Sequence, residues 1–422
     1  MRFGLLARAK LDKVTIDNDL ISIILPVFNA QKTLQRAINS IIKQTYRFKT
    51  LPDDGSYSLN ISNISGDLIV SGHEGSGAFI NVEKITFGIK KKDIPNIHKK
   101  ETITVNHLED QNQINIIGDS SSKSDFMQTS IELSLPKHIN LNFNIDGGDL
   151  SVNKIIGKIN LSTLGGDILI GNSEGDINSH TNGGAVNIQN SKGHAKTHSF
   201  GGEIAIQNFQ GSIASSTIGG DINLVSIKGN VNCQSSGGSI TLRNIQGNTI
   251  SCRASGGEII GENLNGEITL KCFGRDTNIK NISGKGNLYA SGGNFLIENF
   301  EGSLVVNTEK GNIVIDDAVG GVEAITSAGD IDVDLSYDSR FKDYSIYLET
   351  HMGNIKTSVP KNLPASMENI VYQTTSMQSI DSEIILKLEV EHEKVIGKRT
   401  IAGGTVPFSL KAHHGTITIK DK

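Results

Sequence analysis

The sequence predicts an all-β chain, a parallel β-solenoid (β-helix) of about 18 residues per coil preceded by a short β-α fragment. Three observations carry this expectation. A glycine pair returns every eighteen residues, at Gly147-Gly148, Gly165-Gly166, Gly183-Gly184, Gly201-Gly202, Gly219-Gly220 and Gly237-Gly238. After one extra residue it continues at Gly256-Gly257, weakens at Gly274-Arg275, returns at Gly292-Gly293 and fades through Lys310-Gly311 and Ala328-Gly329. Behind each pair, apolar residues alternate (Ile168 and Ile170, Val186 and Ile188, Ile204 and Ile206, Ile222 and Leu224), the period of a strand with one buried face. All seven prolines lie outside residues 137 to 359, where interior strands need every backbone N–H.

One repeat reads G-G-x-I-x-I-x-N-I-x-G-x-I-x-S-x-x-x. A lone glycine (Gly157, Gly175, Gly193, Gly211 and onward) precedes a second short strand, whose next inward position is small at Ser179, Ser215, Cys233 and Cys252. Glycine marks corners because it reaches backbone conformations strained for other residues. Asn172, Asn190, Asn208, Asn244, Asn263, Asn281 and Asn299 form a further column, with Ser226 and Asp317 at other steps. Stacked amides can satisfy one another's hydrogen bonds at a buried corner. Such ladders resemble those of right-handed parallel β-helices, which favours that hand. A unit this short cannot bury its own apolar face, so about eleven coils must share a core, stacking to a length on the order of 50 Å.

Composition agrees. The chain is 422 residues long and 36% apolar, with 46 glycines, no tryptophan and 5% aromatic residues. That is thin for a globular core but adequate for a solenoid filled by Ile, Leu and Val. A net charge of −5 and the lack of a basic, aromatic-laced stripe argue against nucleic acid as a partner. No stretch has the length of a transmembrane helix. Residues 20–28 are short, contain Pro26 and follow Asp17 and Asp19, so they do not read as a secretion signal. Cys233 and Cys252 occupy matching positions on adjacent coils, with Cys272 nearby. The first two are close enough in principle to bond, but the expectation is that all three are buried free thiols filling small spaces.

In chain order, residues 1–46 come first. Ile21 to Phe28 is an apolar run, and Leu34, Ile38, Ile41 and Ile42 have helical spacing. The stretch ISIILPVFNAQKTLQRAINSIIKQTY resembles the opening strand, loop and helix of family 2 glycosyltransferases. The Asp-x-Asp metal motif of that family is missing, and Pro52-Asp53-Asp54-Gly55-Ser56 is better explained as a turn. The segment is therefore expected to be a truncated, inactive fragment joined near Tyr46. Residues 47–136 are expected to hold longer strands leading into the coils, with a basic loop at Lys90–Lys100 read as solvated. Regular coils should occupy 137–335, and irregular coils with a cap 336–422, because open solenoid ends expose unpaired strand edges.

From residue 47 onward, four stretches resemble a bacterial adhesin-like family of glycine repeats, many of them exported. These are Tyr57 to Val70, Glu132 to Asn142, the repeats themselves, and Ile396 to Ile419. The resemblance implies a β-solenoid with a surface or envelope role, binding a glycan or protein, and no catalytic residues.

Candidate chemistry is sparse. The residue after the glycine pair is often acidic, at Asp149, Asp167, Glu203, Asp221, Glu258, Asp276 and Asp330. Calcium repeats of the G-G-x-G-x-D type share the eighteen-residue period, but their third glycine and spaced aspartate are absent. Solvent-exposed turn residues are the expectation. His180, His194 and His198 sit close together without metal-motif spacing. No catalytic, cofactor-binding or metal-binding residue is assigned, and a non-enzymatic, adhesin-like envelope module is expected. The alternatives are an inactive glycosyltransferase-derived chimera and a carbohydrate-active β-helix enzyme, for which invariant short coils leave little material to wall a groove.

Overall fold

In the computed structural model, which describes residues 15–21, 38–87, 93, 102–119 and 127–422, the eighteen-residue period becomes parallel strand pairing, residue against residue. Ile156–Thr163 lies beside Glu174–Thr181 with Gly157 opposite Gly175 and Thr163 opposite Thr181. The chain is a β-solenoid of about eleven turns. It divides into two units, Met1–Gly202 and Glu203–Lys422.

In the first unit, inward residues stack into columns. Leu59, Leu141, Ile159, Ile177 and Ala195 form one. Leu68, Leu150, Ile168 and Val186 form another. Its first coil, built from Ser58–Ser62 and Asp67–His73, is flanked by chain from far along the sequence. Ser58–Ser62 is parallel to both Gln113–Gly118 and Asn140–Ile145. Antiparallel strands then cover the edge: Met127–Pro136 pairs with Ala78–Phe87, which pairs with Ile38–Phe48, which pairs with Thr15–Ile21.

Here the sequence expectation fails. Residues 38–46, read as the end of a helix, belong to the strand Ile38–Phe48. Tyr46 and Phe48 are buried from that strand against a partner that buries Ala78, Ile80 and Val82. A short apolar run rich in β-branched residues fits both periods, and tertiary pairing decides. The remainder of the proposed β-α fragment, residues 22–37, lies outside the described residues, as does most of the basic loop. Asp53 and Asp54 do sit in a bend. There the Asp53 carboxylate accepts from the His138 backbone N–H at 3.0 Å, and Asp54 accepts from Ser56 N–H at 2.9 Å.

In the second unit one inward column runs Ile204, Ile222, Ile240, Ile259, Thr277, Phe295, Ile313, Ile331, Ile355 and Ile417. Large and small residues compensate along such columns. Gly286 stands between Ile268 and Leu304, and a β-carbon there would come within 2.7 Å of Leu304 Cδ1. The coil with one extra residue absorbs it as a register shift between Gln246 and Thr249. At the end of this unit chain order and spatial order part. Val406–His414 and Ile417–Asp421 form the last coil, directly on Ile346–Met352 and Ile355–Val359. The intervening Ala365–Tyr372 pairs with the far side of Val406–His414, and Lys394–Thr400 and Lys387–Glu391 extend it antiparallel.

Each coil is held at its corners by devices that repeat. The asparagine column occupies left-handed backbone, with φ of 50° at Asn190 and 58° at Asn299, where asparagine is tolerated better than other non-glycine residues. Its amides do form a ladder (Asn263 to Asn244 at 2.7 Å, Asn281 to Asn263 and Asn299 to Asn281 at 2.8 Å). The corner is exposed, however, and not buried as expected. A second device was not anticipated. A buried hydroxyl three residues before the second glycine of a pair reaches one coil back: Thr181 Oγ1 donates to the Gly166 carbonyl at 2.9 Å and accepts from Gly184 N–H at 3.1 Å. Ser199 and Ser235 do the same. Thr181→Val should therefore destabilise by about 1–3 kcal/mol, because two backbone groups lose a shared partner while shape is kept. A urea midpoint unchanged by this substitution would show the clip contributes nothing. Ala254 and Ala290 fill the same column, so a single coil tolerates its loss.

Cysteine usage also differs from expectation. Cys233 and Cys252 face inward at the same height on adjacent strands, with Cα atoms 4.6 Å apart, and are joined in a disulfide. Only Cys272 is a buried free thiol; it sits in the hydroxyl-clip column, its Sγ 3.4 Å from the Gly257 carbonyl oxygen.

Candidate ligand-binding faces

In the first unit, strand alternation turns two columns of polar side chains outward on neighbouring strands. Asn115, Asn60, Asn142, Asn160, Asn178 and Lys196 are aligned by register. Asn60 Nδ2 donates to Asn115 Oδ1 at 2.8 Å, and Asn178 Nδ2 donates to Asn160 Oδ1 at 2.9 Å. Beside them run Asn144, Ser162, His180 and His198. The His180 and His198 rings are stacked, 5.1 Å between centroids and 2° from parallel. Partial burial, then the neighbouring His180, push the His198 imidazole below its ordinary pKa. The stretch of both columns from Asn142 and Asn144 to Lys196 and His198 lines a shallow groove of about 310 Å³. An amide has two donors and two acceptor lone pairs, so an amide that spends one on its neighbour keeps others for a ligand.

The second unit carries a denser cluster on the outward face of its last coils. Glu349 stands opposite Lys411 in register. Tyr347 donates its hydroxyl hydrogen to Glu349, whose other oxygen lies 2.9 Å from His413 Nε2. Lys411 Nζ donates to the Tyr347 hydroxyl at 3.3 Å and lies 4.9 Å from the centre of that ring. Burial alone would raise the Glu349 carboxyl. The hydrogen bonds from Tyr347 and His413, with the His413 and Lys411 charges, outweigh it and hold the group below the usual carboxylate range. His413 is sandwiched between Tyr372 and His351, each 4.6 Å away and nearly parallel. The ligating atoms of Glu349, His351 and His413 lie within 4.8 Å of one another.

No family model and no curated relative matches this chain. Two solved structures do. One, from Clostridium sporogenes and described as a "putative cell adhesion protein", is 10% identical, covers 90% of this chain and 100% of its own, and has a TM-score of 0.16. The other, a "putative adhesin" from Bacteroides fragilis, is 16% identical, covers 75% of this chain and 96% of its own, and has a TM-score of 0.20. The resemblance read in residues 20–46 gains no support, since no family model and no curated relative matches there. Likeness this weak bears on neither ligand nor activity.

The acidic column turns out to have an internal use. Asp149 Oδ1 accepts from the Asp167 backbone N–H at 2.8 Å, Asp167 from Ala185 at 2.8 Å, Asp221 from Ser239 at 2.7 Å and Asp276 from Asn294 at 2.8 Å. Asn294 and Asn312 fill the same role, so an uncharged side-chain acceptor serves there as well as a carboxylate, and Ala185 occupies the position with none. Of the three histidines singled out from sequence, His180 and His198 meet, while His194 stands opposite Asp176 on a different column. Spacing explains this: His180 and His198 differ by eighteen. The same spacing links Asn142, Asn160 and Asn178 and was the available signal for the groove. Nothing comparable announces the Glu349 cluster, whose strands are 64 residues apart in sequence. Among the described residues no helix is long and apolar enough to cross a membrane.

Proposed function

We propose that this protein is a non-enzymatic, adhesin-like binding module whose first unit takes an extended polar ligand, a glycan, along the asparagine–histidine face. The observation that carries this reading is the in-register amide column beside the stacked His180–His198 pair in a shallow groove. Aligned amides one strand apart offer repeated, paired donors and acceptors to the hydroxyls of a chain-like sugar, and flat rings offer a stacking surface. Contact then spreads over several coils, as in other repeat proteins that bind along an extended face. The Cys233–Cys252 disulfide supports a place outside the reducing cytoplasm. Thiol alkylation of natively isolated protein should block these two cysteines only after reduction, and free thiols at both would remove that support.

The functional test is titration with soluble neutral, uronic-acid and amino-sugar polysaccharides. The double variant Asn160→Ala/Asn178→Ala should weaken the best binder about tenfold or more, from two lost hydrogen bonds, with an unchanged melting temperature. Binding that ignores the substitutions would sink the groove assignment. Release of new reducing ends from any polymer would favour the enzyme reading instead.

A further inference from the structure

We infer that Glu349, His351 and His413 form a binding site for a divalent transition-metal ion of the zinc class. The inference is independent of the glycan reading, because it concerns different residues in the second unit.

Three ligands suited to such an ion converge here, two imidazoles and a carboxylate, on two paired strands of a solenoid core. Their backbones are fixed by ladder hydrogen bonds, and the residues beneath them, Leu348, Thr350, Leu410 and Ala412, are fully buried. The ligands therefore stand on a rigid surface, which limits the ordering that binding must impose.

The distances fit a small adjustment. Zinc bonds of about 2.0–2.2 Å to nitrogen and oxygen place adjacent ligand atoms roughly 3.3 Å apart. Glu349 Oε1 and His413 Nε2 are 2.9 Å apart around a shared proton. An ion taking that place opens the pair by a few tenths of an ångström and sends the proton to solvent. His351 lies parallel to His413 at 4.6 Å, so the in-plane lone pairs of the two rings do not yet converge. His351 is exposed, and rotation about its broad χ2 brings a nitrogen in from the open side. The fourth position faces solvent and is left to water or to a donor on a bound partner.

The surroundings hold the ligand set ready. Tyr347 donates to the second Glu349 oxygen, the outer-shell support that orients a ligating carboxylate. Tyr372 stacks on the far face of His413 and fixes its ring plane.

The test is isothermal titration of the full chain with Zn2+ at neutral pH, with equilibrium dialysis to count ions. The expected result is a saturable site that weakens at least about tenfold in each of His351→Ala, His413→Ala and Glu349→Gln. The isosteric Glu349→Gln and the exposed His351→Ala keep the test sound if His413→Ala perturbs folding, which circular dichroism would reveal. His180→Ala/His198→Ala, in the other unit, should leave this site unchanged. Absence of saturable binding, or binding lost in the His180/His198 variant but kept in the other three, would overturn the assignment.

Discussion

Gly302→Ala should lower stability by roughly 3 kcal/mol or more, while Gly292→Ala, ten residues earlier in the same repeat, should change it by less than about 0.5 kcal/mol. The two glycines hold different corners of one repeat, the lone glycine and the first of the pair, and only one of them meets a neighbouring coil. Gly302 has φ of +135°, and a β-carbon there would stand 1.9 Å from the Gly284 carbonyl oxygen one coil back. Backbone cannot yield that distance without breaking the ladder. Gly292, the first of its pair, has nothing within 4 Å of the corresponding position. Lys310 and Ala328 replace it in later coils, while Gly311 and Gly329 behind them persist. Urea denaturation of both variants decides the matter. Equal midpoint shifts would mean that close stacking of coils is not what selects glycine.

A chain ending at Gly404 is the second large perturbation. It removes Phe408, Leu410, Ala412, Ile417 and Ile419, each essentially fully buried. The lost burial is on the order of 6–12 kcal/mol, counting the four large side chains. It also strips one of the two partners from each of Ile346–Met352 and Ile355–Val359, leaving long open strand edges above an exposed core. Such edges template pairing with other chains. The expected outcome is concentration-dependent association in size-exclusion chromatography with light scattering. A monodisperse monomer with the parent melting temperature would refute it.

The solenoid is legible from sequence because one constraint is written many times. Every coil must present glycine where a neighbour's carbonyl passes, and an alternating apolar face toward the shared core. The outward faces obey no such rule. Asn160 and Asn178, or His180 and His198, are free to be anything polar, so their meeting shows only to a reader who already counts in eighteens. The ends are less legible still. Ile38, Ile41 and Ile42 satisfy a helical spacing as well as a strand, and only the partner strand Ala78–Phe87 settles which forms. Glu349 and His413 meet because the chain leaves the stack at Pro360 and returns at Val406, a detour with no period to betray it. The cysteines show the converse limit. Three thiols count poorly as a disulfide framework, yet strand register alone brings Cys233 and Cys252 together.

The inverted order at the C-terminal end has a consequence for how the molecule is made. Ala365–Thr400 leaves the ribosome before Val406–Asp421, yet among the described residues its ladder onto the stack runs through those later residues. Vectorial synthesis can wind the second unit coil by coil as far as Val359. From there the hairpin must wait, unseated, until the last residues thread into place beneath it. Seating of that hairpin thus waits on emergence of Val406–Asp421, so a nascent polypeptide keeps this edge of the second unit open until then.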